Sequence, residues 1–257
     1  MPSKQVTDRE KSARAVEAAA RTHAAQIAAG FTRELTPHLE AGETLPDVGL
    51  LARLIGRKIL ADNAALLAAD RAHELELADD AEPREDRDEA AAKVRSVLVD
   101  LRTAIESSYG ARGLTLLGLG DAVSVDPSVL ATAGGNAQKT LKDPEIKLPK
   151  PKRAGLKIDQ VAFADELAAE LPVLQKALAK VATEDREKEA TQRAKNEAMA
   201  KSDATFTSGA SFLAVSCQVA GLSDIAAKVR PSGRRPGRVA SEDEAGAPAG
   251  EAAGAGG

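Results

Sequence analysis

Large apolar residues recur at helical spacing through most of the chain. From about Thr7 to Leu35, the residues Val16, Ala20, Ile27, Phe31 and Leu35 keep to one stripe, and Pro37 and Gly42 end the segment. A second segment, from about Asp47 to Ala78, places Leu51, Ile55, Ile59 and Leu66 on a core face. Asp47, after Pro46, is the expected N-cap. A third, from about Asp86 to Tyr109, carries Val94, Leu98, Leu101 and Ile105, and Gly110 supplies the stop.

Residues 110–157 break the pattern. Gly113-Leu-Thr-Leu-Leu-Gly118-Leu119-Gly120 is glycine-rich and apolar. Asp126-Pro127 starts a short helix reaching about Ala137. Pro144, Pro149 and Pro151 keep the stretch from Lys142 to Lys157 extended. The region reads as one long crossover. A fourth helix is predicted from about Asp159 to Asp203. Its Ala164, Leu167, Leu171, Leu174, Leu178 and Val181 step by threes and fours, the coiled-coil spacing, and Pro172 predicts a kink or restart near Ala168. Beyond Val181 only Ala190, Ala194 and Ala198 keep a narrow seam. The last predicted helix, about Thr205 to Val229, aligns Phe212, Val215, Val219, Leu222, Ala226 and Val229.

This pattern predicts an all-α fold: an elongated antiparallel bundle of four to five long helices with one long crossover. A helix of about 30 residues runs to roughly 45 Å, hence the expected elongation. Residues 1–230 are expected to form one domain. Residues 231–257, rich in Gly, Pro, Ala and charge, are expected to be a disordered tail that folding does not need. Composition agrees. Ala, Glu, Lys, Arg and Leu dominate, and aromatic residues make up 2% of the 257.

The same composition excludes several chemistries. One Cys allows no intrachain disulfide, and three His with one scattered Cys do not make a structural zinc cluster. Few rings and a net charge of −4 weigh against nucleic acid as a partner. No apolar run is long enough to span a membrane, and no targeting segment is visible, so the expected location is cytoplasmic.

The 113–120 loop lacks the Lys and Ser/Thr of a phosphate-binding loop, since Leu119 and Gly120 stand in their places. Its leucines either close one end of the core or, as Leu116, Leu117 and Leu119, dock a partner. His73 opens His-Glu-Leu-Glu-Leu, which has no second His for zinc, and no Glu-x-x-His pair occurs. Cys217, among Phe212, Leu213, Val215 and Val219, reads as a small buried hydrophobe. No catalytic constellation, metal site or cofactor motif emerges, so the chain is expected not to be an enzyme.

Charge is blocked. Asp79–Glu89 carries seven acids against Arg84 and Arg87, and Lys139–Lys157 carries seven bases against Asp143 and Glu145. Solvated connections explain both, and mutual attraction is a further possibility. The basic block could also dock an anionic partner through Lys147, Lys150, Lys152, Arg153 and Lys157. Lys228, Arg230, Arg234, Arg235 and Arg238 form a further cluster, explained by the dipole at a helix end. The leading expectation is a non-enzymatic structural or protein-interaction protein acting through helix packing. The alternative is an adaptor or regulatory module reading an anionic partner on 139–157. Partners are then a protein or the chain itself, most simply as a homodimer. The Ala190–Ala194–Ala198 seam would need covering by the first or last helix or by a second chain.

Overall fold

The structure is a computed structural model, and it describes residues 3–146, 148–153, 155 and 157–241. The helices are α1 (Lys4–Leu35), α2 (Val48–Asp79), α3 (Ala81–Tyr109), α4 (Ala111–Leu116), α5 (Pro127–Lys142), α6 (Gln160–Val219) and α7 (Ser223–Val229). No strand forms among the described residues, and one isolated bridge pairs Pro231 with Val239. The protein is all-α, built from long helices packed side by side. It divides into two compact units, Met1–Leu75 with Ala190–Gly257, and Glu76–Glu189. α2 and α6 each contribute residues to both.

Local chemistry sets the helix ends. The Leu50 amide donates to Asp47 Oδ1 at 2.8 Å, so Asp47 caps α2 as predicted. Asp126 Oδ1 accepts from the Ser128 and Val129 amides, both at 2.9 Å, with Pro127 at the first helical position of α5. Gly110 ends α3 at φ 73°, a conformation that would strain a side chain.

In the first unit α1 and α2 run antiparallel and meet on small residues. A Cβ on Gly49 would stand 2.8 Å from the Ala24 carbonyl oxygen, and one on Gly56 would stand 3.1 Å from Ala20 Cβ. α6 approaches as closely. A Cβ on Gly209 would meet Ile55 and Ile59 at 2.8 and 2.9 Å, and one on Gly30 would overlap Ala220. Val16, Ile27, Ile59, Phe206, Leu213 and Cys217 fill the core between them, and Ala226 and Val229 of α7 close it. Each large side chain buried this way contributes about 1.5–3 kcal/mol.

In the second unit α3, α5 and α6 surround a larger apolar core. Val94, Leu98, Leu101 and Ile105 of α3 are fully buried, with Leu130 and Ala137 of α5 and Leu167, Leu171 and Leu174 of α6. α3 and α6 are antiparallel, as the pairs Asp80–Lys188, Arg84–Asp185 and Asp86–Lys180 show.

Several expectations need correction. The fourth predicted helix and the fifth as far as Val219 are one helix, α6, unbroken at Pro172, and the remainder of the fifth is the separate α7. The proline leaves the Ala168 carbonyl without its helical donor. The neighbouring Leu171 and Leu174, 4% and 0% exposed, anchor the turns around it. The crossover is partly helical, containing α4 and α5. The Asp79–Glu89 block is not a connection. Asp80 keeps helical angles between α2 and α3, Asp86 and Asp80 pair with Lys180 and Lys188 of α6, and Glu89 pairs with Lys93 within α3.

Two core stripes are also reassigned. Leu51 is 40% exposed, and Phe212, Val215 and Val219 are 36%, 57% and 36% exposed. The inner face of α6 in the first unit is instead Phe206, Ala210, Leu213 and Cys217. Phe206 and Leu213 supply the bulk of that face, with small Ala210, Ala214 and Cys217 beside them where the helices approach. Ala190 and Ala194 are likewise exposed and Ala198 half-buried.

The first part of the expected tail, residues 231–241, is ordered. Residues 231–241 fold back on α1: the Val239 amide reaches Ser12 Oγ at 3.4 Å, and Arg238 pairs with Asp8 at 3.1 Å. The rest of that tail, 242–257, lies outside the described residues.

Candidate functional site

The basic strip lines part of a cleft in the second unit. Lys142, Lys150 and Lys157 rim a space of about 480 Å³ over Tyr109, Leu141 and Leu148. Lys150, Arg153 and Lys157 are exposed. Lys152 is used structurally: its Nζ donates to the Glu106 carbonyl at 2.9 Å and its amide to the Ser108 carbonyl at 2.8 Å. It thereby serves the C-terminal end of α3, where carbonyls lack helical donors. Lys147 lies outside the described residues. The three candidate leucines separate. Leu117 and Leu119 are 2% and 4% exposed in the core, while Leu116 is 39% exposed. The loop therefore closes an end of the second unit's core, and only Leu116 remains available to a partner.

The larger apolar surface lies in the first unit. Leu50, Leu51 and Leu54 of α2 are each 40–45% exposed. Because α6 is antiparallel to α2 here, with Gly209 against Ile55 and Ile59, Phe212 falls level with Leu54 and Val215 with Leu51. Both helices thus expose large apolar side chains at matching levels, an apolar strip of the kind that marks interaction sites.

A buried polar belt, absent from the expectations drawn from periodicity, crosses the same unit. Asp70 is completely buried, 2.7 Å from Lys195 Nζ, and its Oδ2 accepts the Ser3 amide at 2.9 Å. Burial pushes the Asp70 carboxyl up, but Lys195 and the Ser3 amide outweigh it and hold the group below its ordinary range. Asp62 accepts from Lys58 at 2.8 Å and from the Thr205 hydroxyl at 2.7 Å, with Lys201 at 3.4 Å. Lys58 foremost, then Thr205 and Lys201, lower its pKa against the opposing effect of burial. Arg9 grips Asp203 through two hydrogen bonds of 2.7 and 2.9 Å.

His73 Nδ1 lies 3.1 Å from the Thr191 hydroxyl. That spacing suits a base and a nucleophile. The ring is only 6% exposed, which suits a structural hydrogen bond instead. The missed signal was the spacing of Asp62, Asp70 and His73 along the inner face of α2.

In the second unit Glu76, Glu184 and Glu187 bring carboxylate oxygens within 4.8 Å of one another. Burial first, then Glu187 and Glu184, raise the Glu76 pKa. Cys217 is 2% exposed, and burial raises its thiol, as expected of a packed side chain. No helix among the described residues is long and apolar enough to cross a membrane. No protein-family model matches the chain, and no curated protein or solved structure shows significant similarity to it.

Proposed function

We propose that the chain is a non-enzymatic protein-interaction module that binds a protein partner through the apolar strip of α2 and α6. One observation carries the reading: Leu50, Leu51 and Leu54 of α2 and Phe212, Val215 and Val219 of the antiparallel α6 are 36–57% exposed. The charged side chains of the same unit support it, since Asp62, Asp70 and Asp203 are consumed in ion pairs within the fold. The single buried Cys217 fits a cytoplasmic setting.

A photoreactive residue at position 54, introduced in cells that make the protein, tests the proposal. The expected result is a discrete protein adduct at 54 and none at the exposed polar position 186. Equal labelling at both, or none at 54, would refute it.

A second reading rests on the lysine-rimmed cleft. Lys150 and Lys157 stand exposed beside apolar Leu148 and Tyr109, an arrangement suited to an anionic partner. Retention on heparin that falls steeply with salt, and is lost in Lys150→Glu/Lys157→Glu, is its expected signature.

A further inference from the structure

Asp47, Leu51, Leu54 and Lys58 step by four, three and four along α2, the spacing that keeps residues on one stripe of a helix. All four are exposed. They lie outside the inner stripe of Val48, Ala52, Ile59 and Leu66, which faces the core of this unit. The order along the stripe is acid, leucine, leucine, base, and it is symmetric about its midpoint between residues 52 and 53. When two such helices pack antiparallel about that midpoint, Leu51 of each copy meets Leu54 of the other, and Asp47 of each meets Lys58 of the other. One register therefore satisfies the apolar and the charged positions together. That is the requirement of an isologous two-fold interface.

From this self-complementarity we infer that the occupant of the apolar strip is a second copy of this chain, docked α2 against α2 in antiparallel register. The inference rests on the interaction reading above and names its partner. Neither charge has to leave its present role. Asp47 caps α2 through Oδ1 alone, leaving Oδ2 for a partner's lysine. Lys58 Nζ touches Asp62 at 2.8 Å, yet its side chain is 61% exposed and it has two further N–H donors. Asp62 is also served by Thr205 and Lys201, so sharing Lys58 does not strand it. Phe212 and Val215 of α6, level with the Leu51–Leu54 pair, are exposed as well and add apolar surface to each copy. The exposed Ala190 and Ala194 offer only methyl groups and no matching charge pattern.

Sedimentation velocity of the full chain from low to high micromolar concentration reads the association. A dimer that dissociates on dilution is expected, and Leu54→Glu should weaken it by at least about tenfold. Circular dichroism of the variant should match the parent, because residue 54 lies off the core. The register is read separately by mixing Leu51→Cys chains with Leu54→Cys chains under mild oxidation. Disulfide-linked dimer should form mainly in the mixture, more than with either chain alone. A mixture of Leu51→Cys with Leu75→Cys, an exposed position elsewhere on α2, should not cross-link. A monomer at every concentration, or cross-linking no greater in the first mixture than in its separate components, would overturn the inference. In that event an adduct between residue 54 and a different protein would still support the interaction reading. An unlabelled residue 54 would end both.

Discussion

Asp70 shows how one buried charge organises its neighbourhood. It draws Lys195 from α6 and the amide of Ser3, the residue just before α1, so a single carboxylate ties three helices. Removing one partner of such a pair strands the other in a low-dielectric interior, at a cost of about 3–5 kcal/mol. Lys195→Met should therefore lower stability by roughly that amount. Asp70→Asn/Lys195→Met, which leaves no charge behind, should recover much of it. Chemical denaturation of the two variants makes the comparison.

The pH dependence follows with a definite sign. The folded carboxyl lies below its unfolded value, so its contribution is complete above about pH 4 and is lost as pH falls through the folded value. Asp62 acts in the same direction. Acid melting of the parent should steepen below about pH 4, and Asp70→Asn should flatten that limb. An unchanged acid limb would mean that Asp70 does not carry the effect.

At the scale of elements, periodicity succeeded where bulky residues face a spacious core. It failed where helices approach closely. The stripe Val94–Leu98–Leu101–Ile105 was legible and is fully buried. The stripe Phe212–Val215–Val219 has equally regular spacing and faces outward. What decides is contact distance. Gly209, Ala210 and Ala220 let α6 lie against its neighbours at a separation that larger side chains would prevent. The buried face mixes Phe206 and Leu213 with small residues such as Ala210 and Ser216, so its large side chains stand seven apart and give a weaker periodic signal than Phe212–Val215–Val219.

Two variants separate the faces. Leu213→Glu, at a site 1% exposed, places a charge among apolar groups and should cost several kcal/mol. Leu54→Glu, 45% exposed, should change the stability of the isolated chain by no more than about 0.5 kcal/mol. Pro172 belongs to the same scale. It is exposed within α6, and Pro172→Ala would restore a donor to the Ala168 carbonyl. The melting temperature of that variant should rise, since an interior proline costs a helix about 3 kcal/mol relative to alanine. A fall would show that the ring packs favourably against its surroundings.

For the molecule as a whole, composition established the fold class but misjudged residues 231–241. Residues 231–241 look like tail by composition, being rich in Pro, Gly, Ser and Arg. Their order comes from partners distant in sequence. Val239 packs against the first unit's core, Arg238 finds Asp8, and the Ser232 and Ala240 amides bond to the Arg238 and Arg230 carbonyls. No local pattern announces such contacts, because each depends on α1 already being in place. The candidate surfaces were similarly half legible: the lysines of the 139–157 block stood out as charge, while the α2 strip was hidden by the assignment of Leu51 to the core.

Two truncations locate the boundary. A chain ending at Ser241 removes only Gly, Ala, Pro, Glu and Asp, residues with little apolar surface to bury, and should melt with the full chain. A chain ending at Arg230 also loses Val239 and the Arg238–Asp8 pair, and it uncovers Ser12. The partly buried Val239 contributes about 1 kcal/mol and the ion pair less, so a drop of several degrees is expected. Equal melting of all three chains would mean that 231–241 adds nothing to stability, and the composition would then have marked the true end of the fold.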